Sequence, residues 1–244
     1  MVSPDYRDRE TAEGYEADRF GGRFGEYLRD HEVELFLCHL EGCDGPVLDL
    51  GSGTGKISLP LLERNRSVIS ADISLEMLSV ARRACQKRDL RLRPVVIDAQ
   101  QLCFRDRAFT AVASSRTLMH VADWQRCLGE VCRVTRERII VDFPARLSVA
   151  SIDSSARRLG ARLGRPARTY KTLATHELAR EIQRLGFTAI VVEKQFLLPI
   201  AFHRKLDRVH TTLRLEQFCR RLGLTRLFGS PVTLVAVRGS SQLP

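Results

Sequence analysis

The stretch VLDLGSGTG, Val47 to Gly55, constrains the fold of this chain more than any other part of its sequence. An apolar-rich strand runs directly into a turn in which Gly51, Gly53 and Gly55 alternate with Ser52 and Thr54. The following KISLPLLERN reads as a helix, with Pro60 tolerable in its first turn. A strand, a glycine turn and a helix in succession form a corner where backbone can approach a ligand closely. Two familiar phosphate patterns fail here. A P-loop needs Gly, four spacers and Gly-Lys-Ser/Thr, but Leu50 stands at the first glycine and Ile57 at the hydroxyl. A dinucleotide fingerprint needs G-x-G-x-x-G/A, and Lys56 occupies its last position. The spacing is instead G-x-G-x-G, with Asp49 two residues ahead of it. A carboxylate there would repel a pyrophosphate, and it suits a ligand with positive charge at that end, such as an amino group.

The segment RSVISADISLEML reads as a β-branched strand ending at Asp72, then a helix with Ser74 as its N-cap. Asp72 lies 21 residues after Gly51. An acid about 20 residues beyond such a turn, at the tip of the next strand, accepts hydrogen bonds from ribose hydroxyls. The ligand implied has an unphosphorylated ribose.

With VLDLGSGTG and SADIS in place, the chain resembles the class I S-adenosylmethionine-dependent methyltransferases. The stretch VVIDAQQLCFRDRAFTAVASSRTLMHV is similar to the third and fourth strand region of that family. Asp98-Ala99 match the pair whose acid faces the adenine amino group, while Cys103 and Thr110 replace the usual proline and aspartate. The resemblance runs from about Glu13 to Phe143 and resumes more loosely at YKTLATHELAREIQRLGF and PVTLVAVRG. It implies an α/β fold with a doubly wound, mostly parallel seven-stranded sheet and helices on both faces. It also implies S-adenosylmethionine as cofactor, held by Asp49, Gly51, Ser52, Gly53, Thr54, Gly55, Asp72, Ile73, Met77, Asp98, Ala99, Gln100 and Ser114. Tyr15 and Arg19 resemble the N-terminal pattern that folds over the cofactor.

The pattern of elements agrees with this fold. Residues 9–41 look helical; strands are expected near 47–50, 67–72, 93–97 and 108–114, with a fifth in ERIIVDFP. A helix capped by Asp123 precedes the fifth strand. Alternating strands and helices specify a parallel sheet whose ligand sits at the carboxyl ends of the strands. At 244 residues, one methyltransferase domain is the natural reading. It divides into an N-terminal helical segment (1–42), a cofactor-binding core (43–144), and basic helical insertions (145–172 and 199–228) forming a substrate cap. Two elements should follow Pro144, the helix THELAREIQRLGF and the strand TAIVVEKQFL, with SPVTLVAVRG closing the chain. The stretch from Ile200 should be one amphipathic run, with Phe202, Leu206, Val209 and Leu213 at helical spacing.

Residues 145–244 carry 18 Lys+Arg against 6 Asp+Glu, whereas residues 1–144 carry 21 against 23. Five arginines, at 157, 158, 162, 165 and 168, recur in one Ser- and Gly-rich insert. A basic amphipathic stretch can lie on an anionic membrane surface, so peripheral membrane association is one expectation and a solvated basic face is the other. An RNA substrate ranks lower, because RNA recognition usually brings aromatic stacking platforms and the aromatics here sit at core-like positions. A nucleotide-binding module that keeps the fold without catalysis is a further alternative. No apolar run approaches the ~20 residues of a membrane span, and the charged N-terminus lacks a signal-peptide core, so the expected location is cytoplasmic. Seven cysteines without a CxxC pair are expected to be buried reduced thiols. Cys38, His39 and Cys43 match no zinc template, and no metal is expected. For a small or amphiphilic acceptor, the base candidates are His120, Asp142, His176, His203 and His210, with His120 and Asp142 nearest the expected site. Arg116, after the fourth strand, could steer an anionic acceptor.

Overall fold

In a computed structural model, which describes residues 6, 8–149, 151, 171–206 and 208–239, the chain builds one seven-stranded sheet. The elements are α1 (Arg9–Phe20), α2 (Arg23–Leu40), β1 (Val47–Leu50), α3 (Ser58–Glu63), β2 (Val68–Asp72) and α4 (Leu75–Gln86). They continue with β3 (Pro94–Val96), β4 (Phe109–Ser115), α5 (Trp124–Val134), β5 (Thr135–Phe143), α6 (Thr175–Arg184) and β6 (Phe187–Phe196). The last are α7 (Ile200–Leu206), α8 (Val209–Arg221), α9 (Leu224–Phe228) and β7 (Ser230–Arg238). The strand order is β3-β2-β1-β4-β5-β7-β6, and β7 runs antiparallel to both its neighbours. The order reverses between β1 and β4, which opens a crevice above their carboxyl ends.

Alternation of side chains divides the core into two layers. Leu48, Leu50, Val112, Ile139, Val141 and Phe143 face α5 and α6. Their neighbours Val47, Ala111, Ala113 and Ile140 pack with Phe36 and Leu40 of α2 and with Ile57 and Leu61 beside α3. Both faces being covered, β1 and β4 are buried almost throughout, their polar Asp49, Thr110 and Ser114 included. α4 begins as expected: the Ser74 hydroxyl accepts from the Met77 amide at 3.1 Å, and Met77, Leu78, Ala81 and Cys85 are buried. α5 is capped by Asp123, which accepts from the Arg126 amide at 3.0 Å. A third cluster, Phe20, Phe24, Leu28 and Phe196 with Ile200, Val209 and Leu213, ties the N-terminal helices to α7 and α8.

Two expectations change, and a third lies outside the described residues. The amphipathic run from Ile200 is broken into α7, α8 and α9, so Phe202 and Leu206 do not share a helix with Val209 and Leu213. Val209 and Leu213 pack inward, while Phe202 and Leu206 are exposed. The basic insertion after Pro144 is described only at its ends, where Leu173 donates to Pro144 at 3.0 Å and Arg146 to Leu173 at 2.8 Å. The helical cap expected there and its five arginines lie outside the described residues. Of the seven free cysteines five are buried, but Cys38 and Cys103 are exposed.

Candidate active site

A cleft of about 530 Å³ lies above the carboxyl ends of the strands, within the range of about 300–1,000 Å³ usual for small-ligand sites. On the β2–β3 side it is lined by Gly51, Gly53, Asp72, Ile73, Met77, Asp98, Ala99 and Gln100. On the β5–β7 side its lining is Pro144, Ala145, Ser148, Thr172, Ile200, Ala201 and Pro231. Tyr6, Tyr15 and Arg19 from the N-terminal segment, with Met119 and His120 after β4, complete it.

The glycine turn owes its shape to left-handed backbone. Gly51 has φ +70° and would place a Cβ 1.9 Å from the Thr117 hydroxyl oxygen, itself bonded to the Leu50 carbonyl at 3.0 Å. Gly53 has φ +54°, and a Cβ there would meet only the Met77 terminal methyl at 3.4 Å. The first glycine is therefore required by the protein's own packing and the second leaves room for a ligand. Gly53 donates its amide to one Asp72 oxygen at 2.8 Å and Ser74 donates to the other at 2.9 Å. Burial raises the Asp72 pKa while these amides oppose it. Its fixed oxygens retain lone pairs for further donors. Gly55 lines neither recess; it packs beneath the turn, against Leu59 and Ala81.

A smaller recess adjoins the cleft and shares Tyr15, Arg19, Gly51, Gly53, Ser115 and Arg116 with it. Asp49, Ser52, Thr54 and Lys56 line the remainder. Asp49 accepts from the Ser58 hydroxyl at 2.6 Å, and burial pushes its pKa up to about 6. Thr54 bonds to Glu16 of α1, which holds the N-terminal segment over the turn.

Beside this recess is a buried ion cluster. Glu32 of α2 is fully buried and bonded to Lys56 Nζ at 2.5 Å, to Arg116, and to Arg19 at 3.5 Å. Lys56 also donates to Ser115 at 2.9 Å. Burial alone would raise the Glu32 pKa, but Arg116, Lys56 and Arg19 together hold it far below the usual carboxylate range. Arg116 adopts a left-handed backbone (φ +58°), a strained conformation that costs on the order of 1–3 kcal/mol. Its amide is held by the Asp142 carboxylate and its guanidinium reaches Asp142 at 3.6 Å.

These contacts revise several sequence assignments. Ser114 is buried and donates to the Leu50 carbonyl at 3.0 Å; strand alternation turns its neighbour Ser115 toward the cleft instead. Asp142 lies under Arg116 rather than in the cleft, fully buried with a pKa raised by burial, so its part is to brace the turn. Arg116 borders the cleft but spends its charge on Glu32 and Asp142. His120 does line the cleft, edge-on to Tyr6 at 5.5 Å; its side chain is exposed at the mouth, and the protein packed around the ring, then Arg19 and Arg116, lowers its pKa to about 4. His203 is buried, stacked on Phe24 at 4.5 Å and bonded to Glu216 at 3.0 Å, while His176 and His210 are exposed. Tyr6, Glu32, Lys56 and Ser115 were not among the expected site residues. Glu32 did leave a signal: it interrupts the buried i, i+4 series Leu28, Phe36 and Leu40 along α2.

Residues 47–138 match the family described as a methyltransferase domain. Over this segment the chain is similar to the class I S-adenosylmethionine-dependent methyltransferases. Over 126 residues it is 37% identical to a demethylmenaquinone methyltransferase of Thermus thermophilus, covering 50% of this chain and 57% of that one. Over 115 residues it is 36% identical to a phosphatidylethanolamine N-methyltransferase of Cereibacter sphaeroides, covering 44% and 55%. The chain thus spans little more than half the length of these relatives. Its fold is shared with the magnesium protoporphyrin IX methyltransferase of Synechocystis with bound SAH. That match has a TM-score of 0.62 at 17% identity, over 88% of this chain and 84% of the other. Within the matched segment, Asp49, the glycine turn, Asp72 and Asp98 lie at the carboxyl ends of β1, β2 and β3, along one sheet edge. Among the described residues no group of three His, Cys, Asp or Glu is placed to hold a metal, and no helix is long and apolar enough to cross a membrane.

Proposed function

We propose that the protein transfers a methyl group from S-adenosylmethionine to an oxygen, nitrogen or carbon atom of a small amphiphilic acceptor, working peripheral to a membrane. One observation carries this reading: a single cleft has carboxylates and a glycine turn on one side, and on the other apolar residues, Pro144, Ala145, Pro199, Ile200, Ala201 and Pro231, interspersed with hydroxyl side chains and Arg204. Asp72 would take the ribose hydroxyls, and Asp98 the adenine amino group between Ile73, Met77, Ala99 and Gln100. The open space above Gly53 fits the close approach of such a ligand. Asp49, Ser52 and Thr54 bound the recess where a cationic amino group would sit. When bound, this cofactor supplies an electrophilic methyl on a positively charged sulfur.

The chain's own contribution is alignment and exclusion of water. Tyr6, Tyr15 and Arg19 cover the cleft, and the Glu32 cluster fixes Arg19 relative to the glycine turn. Alignment of reacting groups is worth as much as about 7–11 kcal/mol. His120, with its pKa near 4, is neutral at pH 7 and can accept a proton from an acceptor hydroxyl or ammonium. Support for the acceptor class comes from the two relatives, whose named substrates are both amphiphilic lipids, and from the apolar residues on the β5–β7 side of the cleft. The test is transfer of label from methyl-labelled S-adenosylmethionine to a prenylated hydroquinone or to phosphatidylethanolamine, each presented in vesicles. Label should reach one of them, and should be lost with Gly53→Val. Tight cofactor binding with no label in any acceptor would remove the enzymatic reading and leave a nucleotide-binding module.

A further inference from the structure

The surface of α8 and α9 has a composition that neither the cofactor nor the core requires. Leu215, Phe218 and Leu222 lie three and four residues apart on one side of α8 and its C-cap, where Phe218 and Leu222 are 59% and 58% exposed. Leu224, Leu227 and Phe228 extend this apolar surface along α9, with Leu227 57% exposed. The buried side of α8 is Thr212, Glu216 and Cys219, about a quarter turn away, so the exposed stripe is not the face that attaches the helix.

The charges around the stripe have one sign. Arg204, Lys205, Arg208, Arg214, Arg221 and Arg226 are all exposed. The described acid of the segment is Glu216, and it is turned inward, accepting from the Leu197 and Leu198 amides at 2.8 and 2.9 Å and bonded to His203. On a helical projection Arg214 and Arg221 border the Leu215–Phe218–Leu222 stripe along one edge. Exposed aromatic and leucine side chains bordered by cations are the pattern of a helix lying in the interface of an anionic bilayer. A solvated basic face explains the arginines but not the apolar stripe beside them.

We propose that α8 and α9 dock on an anionic membrane surface, with Phe218, Leu222 and Leu227 entering the interface and Arg214, Arg221 and Arg226 meeting lipid phosphates. The assignment rests on the methyltransferase reading only for its purpose. Ile200, Ala201 and Arg204, at the start of the same helical segment, line the β5–β7 side of the cleft. Docking there places that side of the cleft toward the bilayer that would hold an amphiphilic acceptor. The surface differs from the one the sequence pattern suggested, since Val209 and Leu213 are spent on the cluster of Phe20, Phe24 and Phe196.

The experiment is cosedimentation of the full chain with phosphatidylcholine vesicles, with and without phosphatidylglycerol, at low and high salt. Binding should require phosphatidylglycerol and weaken at 1 M salt, where the screening length falls to about 3 Å. Arg214→Gln with Arg221→Gln should lower the partition coefficient roughly 30-fold, from about 1 kcal/mol per basic residue near the surface. Phe218→Ser with Leu222→Ser should abolish the residual salt-resistant binding. Calorimetry with S-adenosylhomocysteine on the same variants should give wild-type affinity, which establishes that they are folded. Failure of that ligand to bind any form, with lipid binding intact, would sink the methyltransferase reading and leave the docking surface standing. Absence of phosphatidylglycerol-dependent binding in a cofactor-competent protein would overturn the proposal. So would a change of oligomeric state on sedimentation in Phe218→Ser/Leu222→Ser, or RNA binding indifferent to those substitutions in place of vesicle binding.

Discussion

Residues 1–144 hold nearly balanced charge, 21 Lys+Arg against 23 Asp+Glu, whereas residues 145–244 hold 18 against 6. The two regions meet across one cleft, and they use their charges differently. In the first, Glu32, Lys56, Arg19, Arg116 and Asp142 are brought together in the interior and satisfy one another. In the second, cations stand exposed along α7, α8 and α9 beside uncovered apolar side chains. The contrast separates two tasks. Recognition of one invariant cofactor is served by fixed backbone and internally paired charge. Under the proposed function, an acceptor delivered from outside would be served by a surface whose charges remain available.

The largest effects should fall on the glycine turn, and they should split by position. Gly51→Val forces a side chain into Thr117 at a left-handed residue, so it should unfold or strongly destabilise the protein, by several kcal/mol on the scale of overpacking at about 1–3 kcal/mol and left-handed strain at about 1–2 kcal/mol. Gly53→Val shares the left-handed strain of about 1–2 kcal/mol but meets only a movable methionine methyl. It should keep most of its stability while losing cofactor binding. Thermal melts and calorimetry on both variants check this, and equal loss of stability in the two would erase the distinction between a packing glycine and a ligand glycine.

Glu32→Gln comes next. Removing the anion strands Lys56 and Arg116 in the interior, and breaking such a pair costs about 3–5 kcal/mol. Because the Glu32 pKa is depressed on folding, its contribution is present above the ordinary glutamate value of 4.5 and is lost as pH falls through the folded value. Denaturant titrations should show the gap between wild type and variant closing below that pH. A gap independent of pH would mean that the carboxylate charge is not what holds the cluster.

His120→Gln should lower kcat by about 10²–10⁴-fold if the imidazole takes the acceptor's proton, with cofactor affinity unchanged. The corresponding inflection in a pH–rate profile should lie near pH 4, not near 6.5. Asp142→Asn should instead act on stability. A kcat loss in Asp142→Asn at full stability would reverse the assignment of the two residues.

What was legible in the sequence follows the same division. Gly51, Gly53, Asp72 and Asp98 could be found because each sits at the end of a strand, where local pattern alone determines its position. Ser114 was misplaced by one residue because its choice depends on which face of β4 meets the cleft. Glu32 has its partners at positions 56 and 116, so nothing nearby names them, although a carboxylate within an apolar helical stripe marks it. The stripe from Phe202 to Leu213 failed as a pattern because the chain breaks between α7 and α8. The exposed ridge on α8 and α9 emerges only when Val209 and Leu213 are seen to be buried partners of α2 and β6.

A smaller effect links pH to binding. Asp49 has its pKa raised to about 6 by burial, so below that value it is mostly protonated and cannot pair with a cationic amino group. Affinity for S-adenosylhomocysteine should therefore rise with pH through about 6, by at most tenfold per unit, and flatten above it. Asp49→Asn should remove the inflection. A flat profile in wild type would place the amino group elsewhere.

The central claim is that the β2–β3 side of the cleft binds this cofactor through Asp72 and the glycine turn. Calorimetric titration of S-adenosylhomocysteine into wild type and Asp72→Ala at pH 7.5 tests it most directly. The expected result is one site in wild type, weakened in the variant by about 1.5–3 kcal/mol for the lost charge-assisted bonds. Absence of binding to wild type, or equal affinity in a folded Asp72→Ala, would contradict it.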